Sequence, residues 1–471
     1  MRPCAISDIF AGMEKPVKSA VAKNTLSFAF VVGTTSLAFV VSQLDVSIVN
    51  IALPQISKSF SADVSELQWI VDAYTIAFAV LMLSAGGMGD LLGSKRLFTI
   101  GLVVFGIAST GCGLSWNAVS LISFRVLQGV GAAIMIPSSL SILNQNFAHD
   151  NVKRGRAVAL WTAAGGVSIA AGPILGGLLI HISNWRTIFF VNIPFCLAGI
   201  LLSFKLRESQ RHPNKGFDIP GQLTWMITLT ALIAAIIEWH HLGFNNPFIY
   251  GGLIFSAVML VVFLWIERRA TAPILPLDLF SSANFNVLIW LGIVLNGSYY
   301  GTVFVLSLYM QDVLHYTALA AGMAFLPLTT GFIISNLISS KLMARYGTRI
   351  PILVGLSIGI TGFLALLIAK ADTPYWQLFI PFIIIPMGMG LAVPPMTTSI
   401  LANVAKTRSG TASAVLNTTR QAAGAIGVAV FGTMANGGAV AIVHAIGISA
   451  LISAGGLICS AVLIFRYLRT T

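Results

Sequence analysis

Two stretches decide the fold: Gly86-Gly87-Met88-Gly89-Asp90-Leu91-Leu92-Gly93-Ser94-Lys95-Arg96 and Ser340-Lys341-Leu342-Met343-Ala344-Arg345-Tyr346-Gly347-Thr348-Arg349. Each is a short turn between apolar runs, with a glycine two residues before a cation, and the glycines stand 347 − 93 = 254 residues apart. A turn repeated at that distance, with apolar runs on both sides, reads as a duplicated unit. Parallel duplicated halves are a transporter architecture.

The surroundings of the two turns are those of a membrane protein. Of 471 residues, 56% are apolar and 9% are charged, whereas soluble domains carry roughly 25% charged residues. Fourteen apolar segments, near the ~20 residues of one bilayer crossing, fall at 28–51, 67–88, 97–115, 118–140, 157–181, 188–204, 221–239, 248–266, 285–309, 318–340, 350–369, 375–401, 410–433 and 440–465. The two turns follow the second and tenth. Setting the seventh and eighth aside leaves six spans on each side, so the expected fold is all-α and polytopic: two six-helix bundles plus a two-helix insert. The corresponding regions are a cytoplasmic tail (1–27), an N-terminal bundle (28–206), a linker with the two extra helices (207–283) and a C-terminal bundle (284–471).

Charge placement supports this count. Excess lysine and arginine mark cytoplasmic loops. With the N-terminus inside, 22 of the 27 cations are cytoplasmic; Lys58, Arg186 and Lys370 remain outside, and Arg125 and Arg420 lie within helices. One missed helix would invert every later loop and destroy the asymmetry. Both termini are therefore expected in the cytoplasm, with the first span acting as an uncleaved signal-anchor. The net charge of +12 is a topology signal on this reading, and no nucleic-acid partner is expected. Cys4, Cys112, Cys196 and Cys459 lack metal-ligand or CxxC spacing, and the chain has no phosphate-binding GxxxxGK[ST] loop and no HExxH. No cofactor or metal is expected, and an ion gradient is the remaining energy source.

Ionisable groups within spans are costly and are functional candidates by default. Asp45 in the first span, Asp72 in the second and Arg125 in the fourth form a proton-coupling set: a carboxylate in a cavity of changing wetness can bind and release a proton, with a nearby cation as counter-charge. The alternative is that the acids cap helices or sit in outer loops. Asp90, with Gly93, Lys95 and Arg96, forms a candidate conformational latch, because the start of the thirteenth span at Ser409-Gly410-Thr411 offers positive helix-end N–H groups on the same side. In the fifth span Ser168, Gly172 and Gly176 give a close-packing face. Pro173 bends that helix, so Gly172, Pro173, Gly176 and Gly177 are expected to act as a hinge or as packing alone. Trp69, Tyr74, Trp161, Asn296, Tyr299, Tyr300 and Tyr309 suggest a surface for flat organic compounds; interfacial anchoring and core packing are the competing roles. Arg420 either faces that surface or pairs with polar neighbours between helices.

The same residues resemble a known family, the major facilitator superfamily, in its fourteen-helix drug/proton antiporter branch, across nearly the whole chain. Leu44-Asp45-Val46-Ser47-Ile48-Val49-Asn50-Ile51-Ala52-Leu53-Pro54 resembles that branch's first-helix signature. The stretch 86–96 resembles the superfamily's loop motif, and Arg125-Val126-Leu127-Gln128-Gly129-Val130-Gly131 its fourth-helix arginine motif. Gly172-Pro173-Ile174-Leu175-Gly176-Gly177 resembles the antiporter motif, Trp185-Arg186-Thr187-Ile188-Phe189-Phe190-Val191-Asn192-Ile193-Pro194 the start of the branch's sixth helix, and Trp69-Ile70-Val71-Asp72-Ala73-Tyr74 a methylenomycin-resistance-like subgroup. The resemblance implies proton coupling by Asp45 and Arg125, a latch at Asp90 and a hinge at Gly172-Pro173. Three features depart from the pattern: Leu91 stands where a cation usually follows the aspartate, Ser168 replaces a frequent glycine, and the tenth and thirteenth spans lack the acids of some polyspecific cation exporters.

The expected function is thus proton-driven export of small amphipathic organic compounds, as in multidrug or antibiotic efflux, from a bacterial inner membrane, with a monomer sufficient. A carrier for one metabolite, exporter or importer, is the alternative on the same fold. An integral-membrane enzyme or sensor would need a catalytic cluster or a soluble domain, and neither is visible.

Overall fold

The computed structural model describes residues 27–147, 150–206, 208, 218–243, 245–271, 273–402, 404 and 409–468, and these are helical apart from short connections. The N-terminal tail, the side chain of Asp90 and the side chains of 409–411 lie outside the described residues, and with them the proposed latch contact.

The N-terminal bundle consists of α1 (Phe28–Phe60), α2 (Val64–Leu92), α3 (Ser94–Gly113), α4 (Ala118–Asn146), α5 (Asn151–Ile182), and a sixth segment broken at Val191 into α6 (Thr187–Phe190) and α7 (Asn192–Ser203). The insert is α8 (Ile219–Leu242) and α9 (Pro247–Arg269). The C-terminal bundle consists of α10 (Ala283–Leu308), α11 (Ala318–Ala324), α12 (Leu326–Tyr346), α13 (Arg349–Ala365), α14 (Tyr375–Ala402), α15 (Ser409–Met434) and α16 (Ala439–Tyr467), with a π-helical turn at Tyr309–Val313. Among the described residues eleven helices are long and apolar enough to cross a membrane, or twelve when the pair bent by 41° within α5 is taken as one span. The other two expected spans are helical as well: Thr187–Ser203 is shorter, and α15 carries Arg420, Gln421 and several threonines and serines.

Polar residues set the ends of these helices. Asp63 and Glu66 form a reciprocal cap at the start of α2, as Asn117 and Ser120 do at α4, satisfying backbone N–H groups that the first helical turn leaves unpaired. The repeated turns end their helices identically: Gly93 and Gly347 have φ of 98° and 73°, a region where a side chain is strained, and their N–H groups bond Gly89 O and Met343 O. The 254-residue offset also superposes Lys95 on Arg349. Lys95 Nζ donates to Phe204 O (3.1 Å) and Leu206 O (2.6 Å) beyond α7, and Arg349 donates to Phe465 O near the end of α16.

Packing repeats with the sequence. The pairs α1–α5, α2–α4, α3–α4 and α3–α7 recur as α10–α15, α12–α14, α13–α14 and α13–α16. The halves meet through α2–α15 and α5–α12, which are equivalent under the same duplication. The insert covers the α2–α15 seam: Gln222 donates to Val80 O (2.7 Å), and Ile236 O accepts from Thr433 (3.0 Å). Burial follows position, with 72% of α1's most apolar stretch inside the protein against 17% for α9. The outward side chains of α9, such as Ile254 and Val261, are apolar, as a lipid-facing surface requires.

Candidate functional site

Asp45 is fully buried at the middle of α1, where α4 and α7 supply its partners and α2 and α3 brace those partners. Arg125 Nη1 of α4 donates to Asp45 Oδ2. Gln128, one turn further along α4, donates to Asp45 Oδ1 (2.7 Å) and accepts from Arg125 (2.7 Å). Asn192, the first residue of α7, donates to Asp45 Oδ1 (3.0 Å) and to Ser109 Oγ of α3 (2.9 Å). Arg125 Nε donates to Ile70 O of α2 (2.9 Å), and its guanidinium lies 4.4 Å from the centre of the Tyr74 ring. A buried ion pair persists only when further hydrogen bonds satisfy both partners, and here both are so held. Breaks in neighbouring helices place these groups: the interruption at Val191 starts α7 at Asn192, beside the carboxylate.

Asp72, two turns along α2 from its capped start, is equally buried, and neither carboxylate oxygen has a hydrogen-bond partner among the described residues. Asp45 and Asp72 are therefore unlike in environment, one saturated with donors and the other without any.

The glycines expected to form a hinge mark close approach. A Cβ on Gly172 would overlap Ser47 of α1, and one on Gly176 would come within 2.7 Å of Ile48. Gly177 faces the other half, where a Cβ would stand 2.7 Å from Ala318 O; a Cβ on Gly322 would overlap Pro173 O. Ser307 donates to Asn50 O, Gln311 to Ile51 O (3.0 Å), and Gln68 to Val428 O and Ala429 O (3.1 and 2.7 Å). The contacts between the halves close one end of the molecule, formed by the ends of α1, α5, α10 and α15 and the starts of α2 and α11.

Two small adjoining cavities lie between the halves, of about 60 and 30 Å³. Tyr299, Tyr300, Ile169 and Thr329 line both, and Asn296, Phe332, Met389, Val393 and Arg420 line the larger. Arg420 Nε donates to Asn296 Oδ1 (3.3 Å). A third space of about 770 Å³, lined by Lys58, Trp185, Arg186 and His315 among others, caps the closed end and does not reach Asp45.

Of the candidates for a substrate surface, Asn296, Tyr299, Tyr300 and Arg420 come together at the cavities, and four others are placed elsewhere. Trp69 donates to Glu238 of the insert (3.0 Å), Tyr74 stacks on Arg125, and Trp161 stacks on Phe39 and donates to Ser139 (3.1 Å). Tyr309 donates to Lys370 O (2.6 Å). Lys95 caps α7 within its own half, and Arg96 lies 4.0 Å from Glu208 at the surface. The sequence reading assigned no role to Gln128, Asn192, Ser109, Ser307, Gln311 or Gly322. Gln128 had a local signal, since it lies three residues from Arg125 on the same helix face; the others depend on partners far along the chain.

A buried charge network beside a cavity between two duplicated helical bundles defines a membrane transporter and not an enzyme. The chain belongs to the Major Facilitator Superfamily, whose profile matches residues 35–428. It is 33% identical over 400 residues to the methylenomycin A resistance protein of Bacillus subtilis (strain 168), covering 85% of this chain and 86% of that one. It is 32% identical over 401 residues to the multidrug resistance protein Stp of Mycobacterium tuberculosis (strain CDC 1551 / Oshkosh), covering 85% and 74%. Among solved structures, a POT family transporter in complex with a thioalcohol-conjugated peptide superposes with a TM-score of 0.70 at 12% identity, covering 93% of this chain and 97% of that one.

Proposed function

We propose that this protein is a proton-coupled antiporter that exports small amphipathic organic compounds by alternating access, crossing a bacterial inner membrane fourteen times with both termini inside. The single observation that carries the reading is Asp45, a membrane-buried carboxylate held by Arg125, Gln128 and Asn192 from two other helices. A proton arriving on Asp45 cancels the charge that holds Arg125, and the freed guanidinium loosens α4 from α1 while keeping α2 through Ile70 O. Asp72 serves as a second proton acceptor at the α2–α15 seam. With the N-terminus inside, the closed end is the outer one, and the cavities face the cytoplasmic half. About 60 Å³ holds roughly two waters, so substrate entry separates the cavity walls. In the outward-open state Asp90 docks at the start of α15 and latches the inner end. The resistance functions named for the relatives support drug or antibiotic export over import.

The test is efflux from energised inverted vesicles. Asp45→Asn should still insert yet lose proton-driven accumulation of substrate, because it removes the titratable group while its amide oxygen keeps one acceptor for Gln128 and Asn192; the purified variant's melting temperature separates lost coupling from the cost of leaving Arg125 unpaired. Unchanged accumulation would overturn the coupling role. A panel of dyes, antibiotics and metabolites separates a broad exporter from a carrier with one strong substrate.

A further inference from the structure

The central cavities have a one-sided electrostatic character. Among the described residues no aspartate or glutamate lines either, and the one formal charge on their walls is Arg420. The carboxylate of Asp45 is already paired with Arg125, and that of Glu238 accepts from Trp69. Arg420 forms no ion pair among the described residues, and its one hydrogen bond uses Nε on Asn296. Its two terminal nitrogens, with four N–H donors, are left without a protein partner among the described residues. A cation within a membrane protein is costly unless something arrives to pair with it. The planar fork of a guanidinium fits a carboxylate in bidentate fashion. Beside it, Tyr299, Tyr300, Phe332 and Met389 form an apolar and aromatic wall.

We propose that the central cavity selects organic anions, monoacids on an apolar or aromatic body, with the acid group on Arg420 and the body against Tyr299, Tyr300, Phe332 and Met389. This rests on the transporter reading and makes it specific: lipophilic cations are disfavoured, and neutral isosteres bind less tightly than acids.

Three probes of one shape test it by calorimetry on the purified full chain: naphthalene-2-carboxylate, naphthalene-2-carboxamide and naphthalen-2-yl-trimethylammonium. The carboxylate should bind at least about tenfold more tightly than the amide, with the ammonium weakest. Arg420→Gln should lower carboxylate affinity roughly 10- to 100-fold, the loss expected for a charge-assisted hydrogen bond, and leave the amide nearly unchanged. Arg420→Lys should retain the preference for the anion. Should Arg420→Gln fail to fold, the wild-type ranking and the lysine variant still decide. Ammonium binding as tight as carboxylate, or a glutamine variant with wild-type carboxylate affinity, overturns the proposal; binding of none of the three overturns the cavity as the substrate site as well. The Asp45→Asn result is independent of this outcome, so a failure of anion selectivity is distinguishable from a failure of proton coupling.

Discussion

Asp45 and Asp72 show how much environment separates two buried carboxylates. Asp45 accepts hydrogen bonds from Arg125, Gln128 and Asn192, so removing its partner alone strands a charge. Arg125→Met should cost about 3–5 kcal/mol, the usual penalty for breaking a buried pair from one side, read as a lowered melting temperature of the purified protein. Asp72 has no such partners among the described residues. Asp72→Asn removes a group whose charged form is unsupported, so melting temperature should stay at or above the wild-type value while protons moved per substrate fall. A large loss of stability in Asp72→Asn would show instead that the carboxylate is held by a charge in this state. Both residues were visible in the sequence because ionisable groups within apolar runs are rare. Their difference was not, because it depends on which helices face them.

Helix ends and breaks make the closed end. Pro54 has no N–H, so Asn50 O, four residues earlier, lacks its usual helical donor; Ser307 of the opposite half supplies one. The same arrangement recurs inside the C-terminal bundle, where Pro395 frees Leu391 O and Ser339 donates to it at 2.8 Å. A proline within α1 thus frees the Asn50 carbonyl to accept from the other bundle. Close glycine contact does the rest. Gly322→Ala would place a Cβ in the space of Pro173 O, and overpacking of this kind costs roughly 1–3 kcal/mol. Because that contact joins the halves at the closed end, the variant should shift the population toward opening there. The check uses a cysteine at Asn50, beneath the closed end, with Cys4 and Cys459 replaced. A membrane-impermeant maleimide should label it faster by about tenfold or more, since ~1.4 kcal/mol is a factor of ten; equal rates would show that the glycine contact does not hold the gate. The antiporter stretch around Gly172 was legible as a small-residue face. Its partner Gly322 was not, because a glycine gives no hydropathy signal and its contact lies on the other bundle.

At the scale of the molecule, the proposed fourteen-span topology makes a prediction about sides. Asn245→Cys and Asp372→Cys should react with an impermeant thiol reagent applied from outside intact cells, and Lys215→Cys should react in inverted vesicles alone. Labelling of either group from the wrong face would overturn the count. The insert bears on the same scale: α8 contacts both α2 and α15, which join the halves, so it lies along the seam at which the proposed alternating access would move them.

The sequence by itself determined the membrane class, the duplication and the sidedness expected of the loops. These follow from local quantities: apolar run length, the cations between runs, and the glycine at each repeated turn. Gly93 with Lys95 and Gly347 with Arg349 repeat their geometry, not only their spacing, because each pair completes a helix end within its own half. Only the tertiary structure decided which polar groups meet. Trp69 pairs with Glu238 across 169 residues, Gln68 with Val428 across 360, and Arg420 is left facing the cavity with no counter-charge among the described residues. In an apolar medium the partner of a polar side chain is fixed by which helices pack against its face, and neither hydropathy nor spacing along the chain encodes that packing.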